Sequence, residues 1–169
     1  MEAVYWIDQL ANQAECITSC VQGVSIDQAR WKPNPDSWSI LEVINHLFDE
    51  EREDFRAHLD FILHPSENPW PRIDPKDWVT SRQYNQRDLV ESLDNFLKER
   101  QTSLAWLKSL PSPDWSTVCL APFGIISAGD MLASWLAHDL LHLRQLVELR
   151  WLYYVNSVKP YNVEYAGEW

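Results

Sequence analysis

Residues 134–143 read SWLAHDLLHL, an apolar helical stretch in which His138 and His142 are four residues apart. Side chains at positions i and i+4 of a helix lie on the same face, one turn apart. Two neutral imidazoles in that arrangement can chelate one metal ion. Two histidines packed in an apolar core would have the same spacing, so the pair alone leaves both interpretations open. The metalloprotease motif is set aside, because it needs a glutamate where this chain has Asp139.

The apolar periodicity on either side of this stretch predicts four long helices. Two of them begin with a serine that is followed three residues later by an acidic residue, Ser39 with Glu42 and Ser127 with Asp130. This spacing is the pattern of a capping box. A glycine, Gly23, ends the first helix. The helices are expected at residues 3–21, 39–63, 85–110 and 127–154.

The connection between the second and third helices, residues 64–85, is long and contains four prolines. At about 3.3 Å per residue it can extend to roughly 70 Å, whereas a helix of this length rises only about 35 Å. It can therefore return along the bundle and let the two helices run parallel. The sequence predicts an all-α protein, a four-helix bundle with a long crossover between helices 2 and 3, in a single domain over residues 1–169. One short helix is expected within residues 74–84.

The composition excludes several classes of partner. The net charge is −11, the pI is about 4.7, and no Lys/Arg cluster occurs, so neither nucleic acid nor an anionic membrane is expected as a partner. The uncharged stretch at residues 118–129 is too short to span a bilayer and is expected to be a loop. The first residues lack the basic segment of a signal peptide, and three cysteines give no disulfide framework. We therefore expect a cytoplasmic protein.

His46 is the best candidate for a third ligand beside the pair in residues 134–143. It lies midway along the second helix, in NHLFDEE, about 60° from Val43 on a helical wheel and so on the flank of the buried stripe. It is either a solvated histidine among acidic neighbours, or a ligand at the edge of a groove whose acidic neighbours accept its second N–H. The remaining histidines, His58 and His64, are assigned no role.

Four segments resemble the DinB/YfiT-like metalloenzyme superfamily. They are WSILEVINHLFDEE (38–51), ERQTSLAWLKSL (99–110), WLAHDLLHLRQL (135–146) and YNVEYAGEW (161–169), and they follow the family's order over nearly the whole chain. The resemblance implies an up-down-down-up four-helix bundle with one histidine on the second helix and an HxxxH pair on the last, around a divalent metal ion. It makes His46, His138 and His142 the metal ligands.

The chemistry that this resemblance implies is that of a metal site with open positions. Three histidines leave a divalent ion room for water or substrate, which is typical of catalytic rather than structural zinc sites. Histidine ligation suits several metals, of which zinc or nickel is expected. Relatives that use low-molecular-weight thiols imply a small-molecule substrate and an S-transferase or isomerase, with hydrolysis as the second route. The alternative is a non-catalytic metal- or ligand-binding module of a stress response.

Three further side chains are candidates for contact with the ligands or the substrate. Asp49, Glu50 and Gln145 are close to the histidines in sequence, although a solvated helix face would also explain them. The aromatic tail, residues 161–169, is expected to dock on the bundle. A second apolar face of the last helix favours a homodimer, and it consists of Leu132, Leu136, Leu140, Leu143 and Val147.

Overall fold

The computed structural model describes residues 3–65 and 67–168 and shows a bundle of four long helical segments. Three segments are uninterrupted α-helices, and the second consists of two α-helices joined by a π-helical segment. They are α1 (Ala3–Val21), α3 with the π-helical segment and α4 (Ile40–Asp49, Glu50–Phe55, Arg56–Leu63), α6 (Leu89–Ser109) and α7 (Ala128–Ser157). The other elements are α2 (Ile26–Arg30), α5 (Pro75–Ser81), the strands β1 (Val118–Ala121) and β2 (Gly124–Ser127), and 3₁₀ turns at Tyr84–Gln86 and Glu164–Ala166.

The starts of the long helices follow the capping chemistry of the sequence. The Ser39 hydroxyl accepts a hydrogen bond from the Glu42 N–H at 3.1 Å, and the Glu42 carboxylate accepts one from the Ser39 N–H at 2.8 Å. Ser127 and Asp130 form the same reciprocal pair at the start of α7, and the Asp88 side chain caps α6. These bonds satisfy N–H groups that the first turn of a helix leaves without a helical partner. The predicted capping boxes are therefore confirmed.

Hydrogen bonds between the segments give their relative directions. Asn45 in the second segment donates to Ser92 in α6 at 3.0 Å, and further along Arg56 donates to Ser103 at 2.9 Å. The residue numbers rise together, so the second segment and α6 run parallel.

The first and last helices are parallel as well. Gln13 in α1 donates to the backbone carbonyl of Leu136 in α7 at 3.2 Å. Further along both helices, Arg150 donates to the backbone carbonyl of Cys20 at 2.7 Å.

The second segment and α7 run in opposite directions. The rings of His46 and His142 are 4.7 Å apart, and further along the second segment Glu51 accepts a hydrogen bond from Trp135, which is earlier in α7. The up-down-down-up order and the long crossover between the second and third long helices are confirmed.

Two apolar clusters fill the bundle, and a layer of buried charges lies between them. Glu51, Arg100 and Asp139, here called the charged cluster, are each at most 2% exposed. The Arg100 guanidinium donates to the two oxygens of Glu51 at 2.8 Å each and to those of Asp139 at 2.6 and 3.0 Å. Along each contributing segment the charged residue falls between the apolar residues of the two clusters. One cluster includes Ile17, Ile44, Phe96 and Leu146, and the other includes Leu10, Leu59, Leu107 and Trp135.

The uncharged run at 118–129, expected to be a loop, contains a β-hairpin instead. β1 and β2 pair antiparallel, with Leu120 opposite Ile125 and Ala121 opposite Gly124 around a two-residue turn. Gly124 has a φ of 135°, which glycine adopts without the steric cost of a Cβ. Apolar residues occupy both faces of the strands, so the alternation that would predict a half-buried strand is missing from the sequence.

The second apolar face of α7 is divided between the bundle and the surface. Leu132 is fully buried, whereas Leu140 and Val147 are exposed. The homodimer stays a prediction. Within the described residues, no helix combines the length and the apolar character that crossing a bilayer requires.

Two aromatic residues of the tail, Tyr161 and Tyr165, do not dock on the bundle as expected. The side chains of Tyr161 and Tyr165 are largely or fully exposed, and Trp169 lies outside the described residues. The aromatic content of the tail therefore does not reflect burial of these two tyrosines.

Candidate metal centre

Three histidines meet between the second segment and α7. His46 comes from α3, and His138 and His142 come from successive turns of α7. The Nε2 atom of His138 is 3.2 Å from that of His46 and 3.1 Å from that of His142, and one ring nitrogen from each residue lies within 4.8 Å of the others. We call this group the histidine cluster. His46 is 5% exposed, so its interpretation as a solvated histidine is wrong.

The spacing of the nitrogens suits one metal ion. In a tetrahedral site with zinc–nitrogen bonds of about 2.0–2.1 Å, the ligand nitrogens are about 3.3 Å apart. The separations of 3.2 and 3.1 Å in the histidine cluster are close to that value. Within the part of the chain that the structure describes, the residues grouped around this point are three histidines, without a carboxylate or a thiol.

Burial keeps the three imidazoles neutral at pH 7. Removal from water lowers the pKa of His46 to about 2 and that of His138 to about 3, and it also lowers the pKa of His142. The proximity of the other histidines adds to the shift at His46 and His138. Because the neutral ring is the form that ligates metals, these residues need lose no proton to bind one at neutral pH.

Two of the three candidate neighbours lie beside the cluster. The Oε1 atom of Gln145 is 2.8 Å from Nδ1 of His142, and as an acceptor it places the ring proton on Nδ1 and leaves Nε2 free. The Glu50 carboxyl lies 3.7 Å from Nδ1 of His46, which is too far for a hydrogen bond. Both Nδ1 of His46 and Oε1 of Glu50 are buried without a hydrogen-bond partner. Such atoms are rare in folded proteins, and they mark this corner as unsatisfied by the protein alone.

Burial also changes the protonation of Glu50. Its removal from water raises the pKa to about 9, and the hydrogen bond and negative charge of Asp54 add to the rise. Glu50 is 4% exposed, so the interpretation of this residue as part of a solvated helix face is wrong.

The third candidate, Asp49, is not brought to the cluster. Its buried carboxylate accepts a hydrogen bond from the Tyr84 hydroxyl and is paired with Arg52 at 2.9 Å and with Arg82 at 2.8 Å. Tyr84 and Arg82 belong to the crossover connection, so Asp49 ties that connection to the second segment. Asp49 and Glu50 are three and four residues beyond His46 and so lie on either side of the line through it, and the Asp49 side faces Tyr84 and Arg82.

Two aromatic side chains flank the histidines, and the sequence did not single them out for this role. The Trp38 ring lies 4.7 Å from the ring of His46 and is stacked parallel to that of His142 at 6.1 Å. On the other side, the Phe55 ring is 4.9 Å from that of His138. Trp38 precedes the helix cap and Phe55 ends the π-helical segment, so neither position has a periodic signal that would relate it to His46.

A cavity of about 480 Å³ reaches the cluster from one side. His142 and Gln145 form part of its wall on α7, and Trp38 forms part of the opposite wall. Its lining also includes the carboxylates of Asp36 and Glu148. A small molecule in this cavity would therefore contact one of the three histidines directly.

The other two histidines of the chain lie outside the cluster. His58 is buried, with Nδ1 2.6 Å from the Asp54 carboxylate and Nε2 2.9 Å from the Pro71 carbonyl. Burial by itself would lower the pKa of His58, but these two hydrogen bonds raise it above its ordinary value. His64 is exposed at the end of α4 and pairs with Asp60 at 2.9 Å.

The fold and the sequence are both similar to known proteins. YfiT from Bacillus subtilis, named as "a probable metal-dependent hydrolase with an unusual four-helix bundle topology", superposes with a TM-score of 0.76 at 19% sequence identity. The match covers 88% of this chain and 85% of YfiT. No curated protein matches the sequence. The family model of the DinB superfamily matches residues 9–146, which include all three residues of the histidine cluster. The chain therefore belongs to the DinB superfamily.

Proposed function

We propose that the chain binds one divalent metal ion through the Nε2 atoms of His46, His138 and His142 and acts as a metal-dependent enzyme on a small molecule. The observation that carries this proposal is the convergence of three neutral imidazole nitrogens with successive separations of 3.2 and 3.1 Å. A donor set of three imidazoles suits zinc or nickel.

The composition of the donor set favours an enzyme over a non-catalytic binding module. A closed site would need a fourth protein ligand, and the residues grouped with these nitrogens in the described part of the chain include no carboxylate or thiol. Catalytic zinc sites typically have three protein ligands and one open position. The description of YfiT as "a probable metal-dependent hydrolase" supports the same choice.

The protein's own residues would hold and shield the site. Gln145 sets the tautomer of His142 through its contact with Nδ1, and the Trp38 and Phe55 rings cover the histidines from two sides. These contacts fix the ligand nitrogens before any ion arrives, which reduces the reorganisation that binding requires. When bound, the ion would supply Lewis acidity that lowers the pKa of a nucleophile held beside it.

The choice of nucleophile separates two reactions. Water would make the protein a hydrolase, whereas a small thiol would make it an S-transferase or isomerase. Asp36 and Glu148 line the cavity next to His142, and the whole chain has a net charge of −11. Water and a neutral thiol would both pass these carboxylates and lose a proton only beside the ion, so charge does not separate the two nucleophiles. The description of YfiT as "a probable metal-dependent hydrolase" does, and we therefore favour hydrolysis.

Metal analysis of protein purified without an affinity tag tests the binding half of this proposal. We expect about one equivalent of metal in the wild-type protein, as one three-ligand site requires. His46→Ala and His142→Ala should lose it. The control is His64→Ala, which removes an exposed histidine outside the cluster and should keep the full content. If both cluster variants fold and retain the wild-type metal content, the proposed site is wrong.

Activity assays test the catalytic half. Hydrolysis of small esters and amides should disappear after chelation and return when the metal that the analysis identifies is added back. A thiol-transfer assay with the same preparations decides between the two nucleophiles. Activity that survives complete metal removal would contradict the proposed mechanism.

A further inference from the structure

A second cavity, of about 760 Å³, lies on the opposite side of the histidine cluster from the one at His142. It is enclosed by parts of the chain that are distant in sequence, namely the second segment, the crossover connection, the hairpin and the start of α7. Its volume is within the range of about 300–1,000 Å³ that small-molecule sites occupy. We call it the aromatic cavity, and its walls include Phe55, Trp70, Phe123, Ile126, Met131 and Ser134.

The aromatic cavity adjoins the histidine cluster between the second segment and α7. Met131 and Ser134 precede His138 by seven and four residues, so the three side chains lie on one face of α7. Ser134 is about 6 Å from His138 along the helix axis, at about 1.5 Å per residue. Phe55 belongs to both places, because it lines the cavity and its ring is 4.9 Å from that of His138.

The walls of the aromatic cavity are predominantly apolar. The Trp70 ring meets the Phe123 ring edge-on at 5.9 Å, and its face is stacked on His58 at 4.3 Å. The charges on the lining are largely neutralised or exposed, because Asp54 is paired with His58 at 2.6 Å and Arg72 is exposed to solvent. An entering molecule would therefore meet mainly aromatic and aliphatic surface.

The crossover connection and the hairpin build this cavity together. Trp70 comes from the first and Phe123 from the second, and their ring contact joins the two connections at the cavity. Phe123 is 71% exposed, so this large apolar side chain is held near the surface at the cavity and is not buried in either apolar cluster.

We propose that the aromatic cavity binds an apolar group, aromatic or branched aliphatic, of the molecule whose reacting bond is presented to the histidine cluster. The assignment of the reacting end rests on the proposed function, whereas the occupancy of the cavity does not. The expected substrate class is thus an ester or amide with a bulky apolar substituent on one side of the bond. Shape and apolar contact would select it, because the walls offer little charge for recognition.

Binding of 1-naphthol to the metal-free protein, measured by equilibrium dialysis, tests the cavity without any requirement for activity. Removal of the ring in Phe123→Ala should weaken binding about tenfold. Ser134→Phe should block the cavity from α7 and abolish binding. The matched controls are Ile125→Ala, exposed on the same hairpin, and Ala133→Phe, exposed on the same helix, and neither residue lines the cavity. Both controls should bind 1-naphthol as the wild type does.

The outcomes of this experiment and of the metal analysis are separable. Loss of 1-naphthol binding in Phe123→Ala and Ser134→Phe but not in their controls supports the cavity, even if the protein proves to bind no metal. Absence of binding by the wild-type protein overturns the inference, and so does binding that Ser134→Phe leaves unchanged. Either of these results, with metal content intact, would leave the proposed metal site standing while refuting the apolar subsite.

Discussion

The charged cluster and the histidine cluster adjoin each other in the bundle, yet they satisfy their polar atoms in opposite ways. Asp139 follows His138, and Glu51 follows Glu50, whose carboxyl lies beside His46, so the two regions meet on both segments. In the charged cluster a guanidinium meets two carboxylates, with separations between 2.6 and 3.0 Å. In the histidine cluster three identical rings face one another, and buried atoms of His46 and Glu50 have no hydrogen-bond partner.

This difference separates a group that holds the fold from a group that is suited to a ligand. Donors and acceptors in the charged cluster complement each other, and Arg100 also donates to the Leu10 carbonyl, so the cluster links all four helical segments. Burial alone would lower the pKa of Arg100, but the carboxylates of Glu51 and Asp139 raise it above its ordinary value. The histidine cluster has acceptor nitrogens that a cation from outside the chain would satisfy together.

Replacing the central cation should produce the largest effect on stability. In Arg100→Met two buried carboxylates lose their counter-charge, which costs about 3–5 kcal/mol of unfolding free energy. Urea unfolding of the metal-free protein measures this loss. The control Arg144→Met changes an exposed arginine on α7, and its free energy of unfolding should stay within about 0.5 kcal/mol of the wild-type value. A loss below about 1 kcal/mol in Arg100→Met would show that the charged cluster does not hold the helices together.

The corresponding change in the histidine cluster should give the opposite pattern. His138→Leu keeps a similar volume and removes a buried polar ring. The free energy of unfolding of the metal-free variant should therefore stay within about 1 kcal/mol of the wild-type value. Metal affinity should fall at least about 100-fold, equivalent to about 2.7 kcal/mol, because one of three ligands is gone. Competition with a chromogenic chelator measures the affinity. If His138→Leu destabilises the metal-free protein as much as Arg100→Met does, the histidines are structural core residues and the comparison fails.

A smaller effect is expected from the side chain behind a ligand. Gln145→Ala removes the acceptor that sets the His142 tautomer, and loss of such a contact typically weakens metal binding about 10-fold to 100-fold. We expect the lower end, because Gln145 is partly exposed and water can replace it as the acceptor. The same chelator competition applies, with Gln101→Ala on the exposed side of α6 as the control. An unchanged affinity would mean that His142 is oriented by packing against Trp38 alone.

Much of the bundle could be predicted because helices leave local signals. Capping pairs three residues apart and apolar residues at helical spacing identified the four segments, and the length of the crossover allowed the parallel pair. The π-helical segment at Glu50–Phe55 and the hairpin at 118–127 were missed. The hydrogen bonds of the π-helical segment depart from the α-helical pattern that residue spacing reports. The apolar residues of the hairpin do not alternate, so they give no strand signal.

The histidine cluster was predictable in part for the same reason. Spacing related His138 to His142, but His46 was chosen with help from the family resemblance, since a contact 92 residues apart leaves no local signal. Asp49 is bonded by Tyr84 from the irregular crossover, and Glu51 is bonded by Arg100, 49 residues away. These pairings are decided by tertiary packing, so sequence periodicity could not assign Asp49 to the crossover or recognise the charged cluster.

His58 can be compared directly with the histidine cluster, because it is a buried histidine whose two ring nitrogens both have hydrogen-bond partners. Asp54 and the Pro71 carbonyl face its two nitrogens, so the charged ring satisfies both, and these contacts raise its pKa despite burial. A raised pKa means that the folded state binds the proton more tightly than the unfolded state does. The stabilisation from His58 is therefore fully present below the unfolded pKa of about 6.5 and is lost as the pH rises through the higher folded value.

For histidines in the cluster the pKa shift has the opposite sign, because burial lowers the pKa of His46 to about 2 and that of His138 to about 3. They weaken the metal-free fold as the pH falls below about 6.5, where the unfolded chain takes up protons that the folded cluster does not. His58→Gln should consequently cost about 1 kcal/mol near pH 5.5 and clearly less near pH 9. Urea unfolding at both pH values measures the difference, with His64→Gln on the exposed end of α4 as the control. An equal cost at both pH values would show that His58 contributes by packing on Trp70 and not by its charge. The contrast between His58 and the histidine cluster would then not extend to protonation.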